Sequence, residues 1–261
     1  STALNYLEEV MHYYRALWEH NIAVDIISPD SPLTDYDLIV APLLHMVTAA
    51  QGAAIEEYVA GGGTFLTTYF SGIVDEHQRA WLGGYPGPLR KLLGIWVEEF
   101  DPLLPEMTNR IVVAEGSRVP AGTYTCSLWC DLLHLEGATA IATFAEDFYA
   151  RRPAVTEHRF GAGRAFYVAT RTEPRFVSTL VESLLDELGI EAPLVGAVGV
   201  EVTQRIYEGR AYTFVINHRG DKQCISLPYA MRDLLTNTLH ETTLELPGRG
   251  VAVLFAPLAV G

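Results

Sequence analysis

Few residues in this sequence combine a reactive type with a spacing that could support catalysis. Residues 64–69, TFLTTY, read as a strand rich in β-branched and aromatic side chains, and Ser71-Gly72 then turns the chain. Ligand contacts in α/β sheets gather at the carboxyl ends of strands, so this turn is the first place to look for a nucleophile. A thiol or serine hydrolase sets its nucleophile on a sharp strand-to-helix turn and needs a histidine and a carboxylate downstream. The turn here is Tyr69-Phe70-Ser71-Gly72, with no cysteine, and Ser71 lacks the first glycine of a G-x-S-x-G setting. His45 follows the apolar run 38–41 and falls at the same end of the sheet, where a lone histidine reads as structural. Cys126-x3-Cys130 with His134 is a partial metal set of non-standard spacing and without a fourth ligand. The cysteines read instead as small buried apolar groups. The carboxylate pairs Asp75-Glu76, Glu98-Glu99 and Glu146-Asp147 are adjacent in sequence, and neighbours on an extended chain point apart, so none forms an acid/base couple by itself. Gly61-Gly62-Gly63 precedes a strand rather than a helix, the wrong setting for a phosphate loop. No cofactor and no metal are expected.

The elements that would carry these residues read as an α/β unit. Residues 3–20 form an amphipathic helix, with Leu4, Leu7, Met11, Tyr14, Leu17 and Trp18 at helical spacing. Residues 23–27 read as a short strand, 38–41 as a strand covered on both faces, and Thr48 as the cap of a helix to about Ala60. With 64–69 the order is helix, strand, strand, helix, strand, a doubly wound, flavodoxin-like pattern. Pro88 starts a short helix closed by Gly94. Strand-like runs follow at 111–113, 123–125, 139–144, 154–156 and 164–168, the last two joined by a turn at Gly161-Ala162, and a helix runs over 176–188. Helical periodicity then stops. Short β runs at 198–206, 211–216, 224–227, 239–246 and 251–255 make a small antiparallel β domain, so the domains are expected at 1–194 and 195–261. Tyr207, Tyr212 and Tyr229 are its candidates for stacking on a sugar.

Between the strand at 64–69 and the short helix lies a long loop. It is charged at Asp75, Glu76, His77 and Arg79, then aromatic and Gly/Pro-rich from Trp81 through Tyr85 to Pro88. Loops of this length inside a domain are functional or docked on something. With no convincing active site, the residues favour an interaction or assembly module over an enzyme.

The formal net charge of −14, without a basic cluster beyond Arg151-Arg152, argues against nucleic acid or an anionic membrane as partner. Three cysteines fit a reducing compartment and a cytoplasmic protein. There is no apolar run of spanning length and no signal-peptide pattern, and the chain begins at Ser1, as a processed protein or a cloned fragment does.

Longer motifs carry a resemblance. Ser71-Gly72-Ile73-Val74-Asp75-Glu76, Leu82-Gly83-Gly84-Tyr85-Pro86-Gly87-Pro88-Leu89-Arg90, Leu93-Gly94-Ile95 and Glu98-Glu99-Phe100-Asp101-Pro102 resemble the middle domain of family-42 glycoside hydrolases, the bacterial β-galactosidases. Tyr13 to Trp18, residues 38–42, residues 158–165 and Tyr212-Thr213-Phe214 with Asn217-His218 fit the same family, so the resemblance spans nearly the whole chain. It implies a class I glutamine-amidotransferase-like domain without amidotransferase activity, which mediates trimerisation, followed by a small β domain. The family's catalytic glutamates lie in a (β/α)8 barrel for which this chain has no room, so none is assigned here. The implied partners are two further copies and the missing N-terminal barrel, and the galactoside meets only the intact enzyme. Asp75, Glu76 and Arg90 are expected to make charged contacts at the subunit or barrel interface, with Trp81 and Tyr85 as aromatic anchors. The rival expectations are a stand-alone amidotransferase-like hydrolase using Ser71 or His45, and a carbohydrate-binding role for the β domain.

Overall fold

Helical spacing near the start of the chain produces α1 (Tyr6–Glu19) in the computed structural model, which describes residues 4–257. Its buried face differs from the one expected. Glu9 and Tyr13 are buried, whereas Leu7 and Met11 are 65% and 44% exposed. A carboxyl replaces the aliphatic anchor, and the helix is turned accordingly. Residues 23–27 form no strand. Their β-branched side chains favour extension, but no neighbouring strand offers them a ladder, and Ile26 is exposed.

Strands β1 (Leu38–Ala41) and β2 (Thr64–Thr68) pair in parallel, with Leu38 opposite Thr64. Every residue of β2 is buried, although three of its five residues are threonines, whereas β1, expected to be covered on both faces, is the edge strand of the sheet and its four residues are only half-buried. The crossover between them is α2 (Ala49–Ala60). Thr48 caps it in a reciprocal box: Thr48 Oγ1 accepts from Gln51 N at 3.1 Å, and Gln51 Oε1 accepts from Thr48 N at 3.0 Å. After the helix, Gly63 lies flush against the Tyr58 ring, where a Cβ would sit 2.2 Å from it. Tyr58 donates its hydroxyl to the Thr64 carbonyl, which fixes the entry into β2.

A 3-10 turn over Gly87–Leu89 runs into the short α3 (Arg90–Leu93), closed by Gly94 in the left-handed region. Seven more strands complete the sheet: β3 (Ile95–Pro102), β4 (Thr108–Val113), β5 (Gly122–Leu135), β6 (Thr139–Phe144), β7 (Pro153–Phe160), β8 (Gly163–Val168) and β9 (Thr170–Thr172). The order is β1-β2-β8-β7-β6-β4-β5-β3, with β9 on β5. Only β1, β2 and β8 run parallel to one another, and every other pairing is antiparallel. The structure is therefore mixed α/β with a nine-stranded mixed sheet. β3 covers residues to which the sequence pattern assigns no element. Helix α4 (Pro174–Leu188) follows β9.

Two units separate by contact. One takes the chain up to Tyr13 together with Ile27–Ser183, and holds the mixed sheet. The other takes Tyr14–Ile26 and the chain from Leu184. This second unit contains β10 (Val200–Tyr207), β11 (Arg210–Asn217), β12 (Gln223–Ser226), β13 (Met231–Asp233), β14 (Leu239–His240), β15 (Thr243–Leu246) and β16 (Val251–Pro257). Five strands pair antiparallel in the order β10-β11-β16-β13-β14, and β12 pairs β15. Alternate residues of β11 are buried, and Val200, Val202, Val215, Ile225, Met231, Leu244 and Leu254 make the core. The run expected over 239–246 breaks into two strands, on different sheets. Among the described residues no helix is long and apolar enough to cross a membrane.

Candidate functional site

At the carboxyl end of β2 the backbone makes the turn that a nucleophile would occupy. Tyr69 N still bonds Val168 O at 2.7 Å, and then Phe70 takes a φ of 61°. A bulky residue with positive φ is a strained position of the kind found at functional sites. The residue placed there is a phenylalanine, which has no reactive atom. Gly72 follows at φ 63°, and a Cβ on it would lie 2.3 Å from the Pro86 carbonyl oxygen.

The polar groups at this elbow are already engaged. Phe70 N–H donates to Asp131 Oδ2 at 3.2 Å. Trp129 Nε1 donates to Asp131 Oδ1 at 2.7 Å, and Tyr167 donates its hydroxyl to Oδ2 at 2.5 Å. Asp131 is fully buried. Burial pushes its carboxyl up to about 6, while the Tyr167, Trp129 and Phe70 donors pull the other way. Ser71 is also fully buried. Its Oγ accepts from Leu44 N at 2.9 Å and shares a hydrogen bond with Thr67 Oγ1 at 2.8 Å. It ties the ends of β1 and β2 together and offers no exposed nucleophile.

Around the elbow the side chains are aromatic. The Phe70 ring stacks on His45 at 4.7 Å and meets Trp129 edge-on at 4.8 Å. Phe100 from β3 lies 5.5 Å from Trp129 and 5.4 Å from Tyr85. His45, Phe70, Tyr85, Phe100 and Trp129 are each only half-buried, so this end of the sheet presents an aromatic surface.

The structure gives the five interface candidates distinct surroundings within the chain. Asp75 Oδ1 accepts from His77 N at 2.8 Å and Arg79 N at 2.9 Å, and these bonds, the Arg79 one foremost, hold its carboxyl below the usual range. Trp81 donates Nε1 to the Val47 carbonyl at 3.1 Å, and its ring lies where a Gly87 Cβ would be. Arg90 donates Nε to Glu136 Oε2 at 2.7 Å, donates to the Gly83 carbonyl, and lies 5.6 Å over Trp96. Tyr85 faces Phe100. Glu76 is exposed and lies 3.9 Å from His77. The long loop is thus held in a defined shape by bonds within it at Asp75 and by contacts to Val47, Phe100 and Glu136 outside it.

The other candidates are dispersed. Cys126 and Cys130 are buried in β5, as expected of apolar cysteines. His134, further along the strand, stacks on Trp96 at 4.8 Å and contacts Glu98 at 2.7 Å. No cluster of three metal-ligating side chains occurs among the described residues. Glu98 is taken by Arg152 and His134, and Glu146 pairs with Arg110. Tyr207 and Tyr229 are exposed, and Tyr212 packs on Phe255 at 5.6 Å. Sequence reasoning missed Asp131 and the role of Phe70. A lone carboxylate inside the apolar run Leu128-Trp129-Cys130-Asp131-Leu132-Leu133 was the available signal.

The structure is a mixed α/β unit, with a phenylalanine on the strained elbow at the end of β2, and a small antiparallel β unit. Comparison with known proteins gives the class a family. Residues 1–191 match the β-galactosidase trimerisation domain, and residues 199–255 match the β-galactosidase C-terminal domain. The chain belongs to the family-42 β-galactosidases, as their trimerisation and C-terminal domains. It is 44% identical over 255 residues to the β-galactosidase BgaA of Planococcus sp. (strain 'SOS Orange'), covering 97% of this chain and 38% of that protein. The crystal structure of a β-galactosidase from Bacillus circulans sp. alkalophilus superposes with a TM-score of 0.95 at 40% identity, over 98% of this chain and 38% of that one. A β-galactosidase from Rahnella sp. R3 gives 0.92 at 38% identity, with the same coverage. The chain therefore spans little more than a third of the relatives it matches.

Proposed function

We propose that this chain is the assembly portion of a cytoplasmic, homotrimeric β-galactosidase. In the whole enzyme, a barrel outside this sequence would hydrolyse terminal non-reducing β-D-galactosides with retention through two carboxylates. The observation that carries this reading is the elbow. Phe70 stands where a nucleophile belongs and Asp131 occupies its backbone N–H, in a chain that matches only the non-barrel share of its relatives. We assign the assembly role to residues 1–194, as a flavodoxin-like, amidotransferase-like domain, and the remainder to a C-terminal β domain. The antiparallel strands β3 to β7 and β9 are then additions to a parallel nucleus of β1, β2 and β8.

The loop over residues 71–90 is our proposed contact with a neighbouring copy or with the barrel. Its shape is set within this chain by Asp75, by Trp81 on Val47 and by Arg90 on Glu136, while Glu76 and Leu82 (96% exposed) stand out from it. Preorganised loops lose less entropy on docking, which suits an assembly element. Light scattering on this chain tests the reading. A mass three times the 28.8 kDa of one chain is expected, falling toward one copy in the Trp81→Ala/Tyr85→Ala double variant. A wild-type chain that stays monomeric, or a double variant that stays trimeric while folded, overturns the loop's role.

A further inference from the structure

Cys126 and Cys130 lie on β5 at either side of an irregularity. Opposite them on β9 stand Thr172 and Thr170, with Ser127 opposite Arg171. β5 thus uses five residues where β9 uses three, and Leu128 (φ 70°) and Trp129 bulge out of the ladder. The bulge puts the two cysteines at positions equivalent to i and i+2, on one face of the sheet. Two strand residues span about 6.6 Å, inside the range of about 4.4–6.8 Å between Cα atoms that a disulfide bridges. Both thiols are buried, and Cys130 Sγ lies 3.6 Å from the hydroxyl of Thr170, the residue opposite it on β9. Without the bulge, residues 126 and 130 would stand about 13 Å apart.

We propose that Cys126 and Cys130 are a reversible disulfide pair, closed by hydrogen peroxide, with Cys130 as the attacking sulfur and Cys126 as the resolving one. The contact with Cys126 holds the Cys130 thiol below its ordinary range against the opposing effect of burial, while that contact and burial both push Cys126 up. The Cys130 thiolate attacks one peroxide oxygen and the O–O bond breaks. Hydroxide leaves and takes up a proton to become water, and Cys130 becomes a sulfenic acid. The Cys126 sulfur then attacks the Cys130 sulfur, the S–O bond breaks, and a second water departs with the Cys126 proton. Two thiols and one peroxide give one disulfide and two waters, the thiols supplying both electrons. Peroxide is small enough to enter through local opening of the half-buried bulge. The residue at the bulge is Trp129, whose indole holds Asp131 and whose ring covers Phe70. Closing the disulfide fixes this bulge and so acts on the aromatic surface at the end of the sheet.

The test uses the 261-residue chain with its exposed Cys224 changed to alanine, treated with hydrogen peroxide, quenched, unfolded and titrated for thiols. The expected result is the loss of two thiols together, a mass about 2 Da lower, a change in tryptophan emission, and full reversal by dithiothreitol. Adding Cys126→Ser should leave a sulfenic acid on Cys130 that dimedone labels, and adding Cys130→Ser should abolish that label. Two thiols that persist in the folded protein, that disappear one at a time, or that end as sulfinic acid overturn the proposal. Circular dichroism confirms folding of each variant first. A serine variant that does not fold leaves the thiol count and the mass of the two-cysteine protein to decide.

Discussion

Each of the two units buries one aspartate under three donors, and the two carboxyls respond in opposite directions. In the mixed-sheet unit, Asp131 accepts from Phe70 N, Trp129 Nε1 and Tyr167 Oη, and burial still pushes it up to about 6. In the β unit, Asp233 accepts from Leu235 N at 3.1 Å, Val253 N at 3.2 Å and Thr236 Oγ1 at 2.7 Å. Burial again pushes upward, but here these donors together with the nearby His240 outweigh it and the carboxyl is held below its ordinary value. The number of donors is the same, so the difference lies in depth and in the added pull of His240. Asp131 is enclosed by rings at a sheet end, whereas Asp233 is the last residue of β13, next to the turn that carries the exposed Leu235. One carboxyl fills an elbow at an energetic cost, and the other pins a turn cheaply.

Truncation should expose this contrast most strongly. Asp131→Ala leaves the buried Tyr167 hydroxyl and the half-buried Phe70 N–H and Trp129 indole without an acceptor and is expected to cost at least about 3 kcal/mol in urea unfolding. Asp233→Ala should cost about 1–2 kcal/mol, because its donors lie within reach of water. Equal losses would break the comparison and make depth irrelevant.

Titration sharpens it with opposite signs. The folded-state value of Asp131 lies above its ordinary value, so its contribution to stability is fully present below about pH 4 and is lost as pH rises through about 6. Between pH 4 and 7 the parent chain should therefore lose about 3 kcal/mol relative to Asp131→Asn. Asp233 is depressed, so its contribution is present above the ordinary carboxyl value and is lost as pH falls through its lower folded value. Asp233→Asn should differ in slope only in acid. Glu9 adds a second falling contribution. Burial raises it to about 7, against Arg171 at 3.4 Å and the Tyr69 hydroxyl, with Glu8 raising it slightly. Glu9→Gln should therefore remove a slope that extends to about pH 7, one unit beyond that of Asp131. Slopes that coincide would mean that the two sites share one titration.

The parts legible from sequence are those with an unbroken local pattern. Strand β2, the helix cap at Thr48 and strand β11 all follow from residue type and period. The unread parts have their pattern interrupted by geometry. β3 carries a register shift between Val97 and Glu99, which breaks its period of two, so residues 95–102 show no clear strand pattern. β5 was followed only as far as Thr125, because the bulge at Leu128 and Trp129 resets its faces. Residues 23–27 had strand-forming side chains but no partner strand, which local sequence does not reveal. The elbow was half legible. The missing cysteine was visible, but nothing in a phenylalanine announces a positive φ, and Asp131 reaches that turn from a strand 61 residues away.

The elbow also supports the smallest expected effect, which is none. Phe70→Cys would place a thiol on the strained turn, beside His45, and so restore the outline of a nucleophile and base. Three features of the site oppose turnover. His45 Nδ1 is buried without a hydrogen-bond partner, so no third group orients the ring as a base. The elbow N–H is held by the Asp131 carboxylate and is not free to steady a developing oxyanion. That carboxylate, mostly ionised at neutral pH, also disfavours a thiolate beside it. Glutaminase and esterase assays of Phe70→Cys should match the parent chain at background, and Ser71→Ala should change neither. Turnover that appears in Phe70→Cys and vanishes with His45→Ala would show that the missing thiol alone silenced the site. It would reduce Asp131 from a plug to a packing detail, leaving the two buried aspartates different in titration but alike in role.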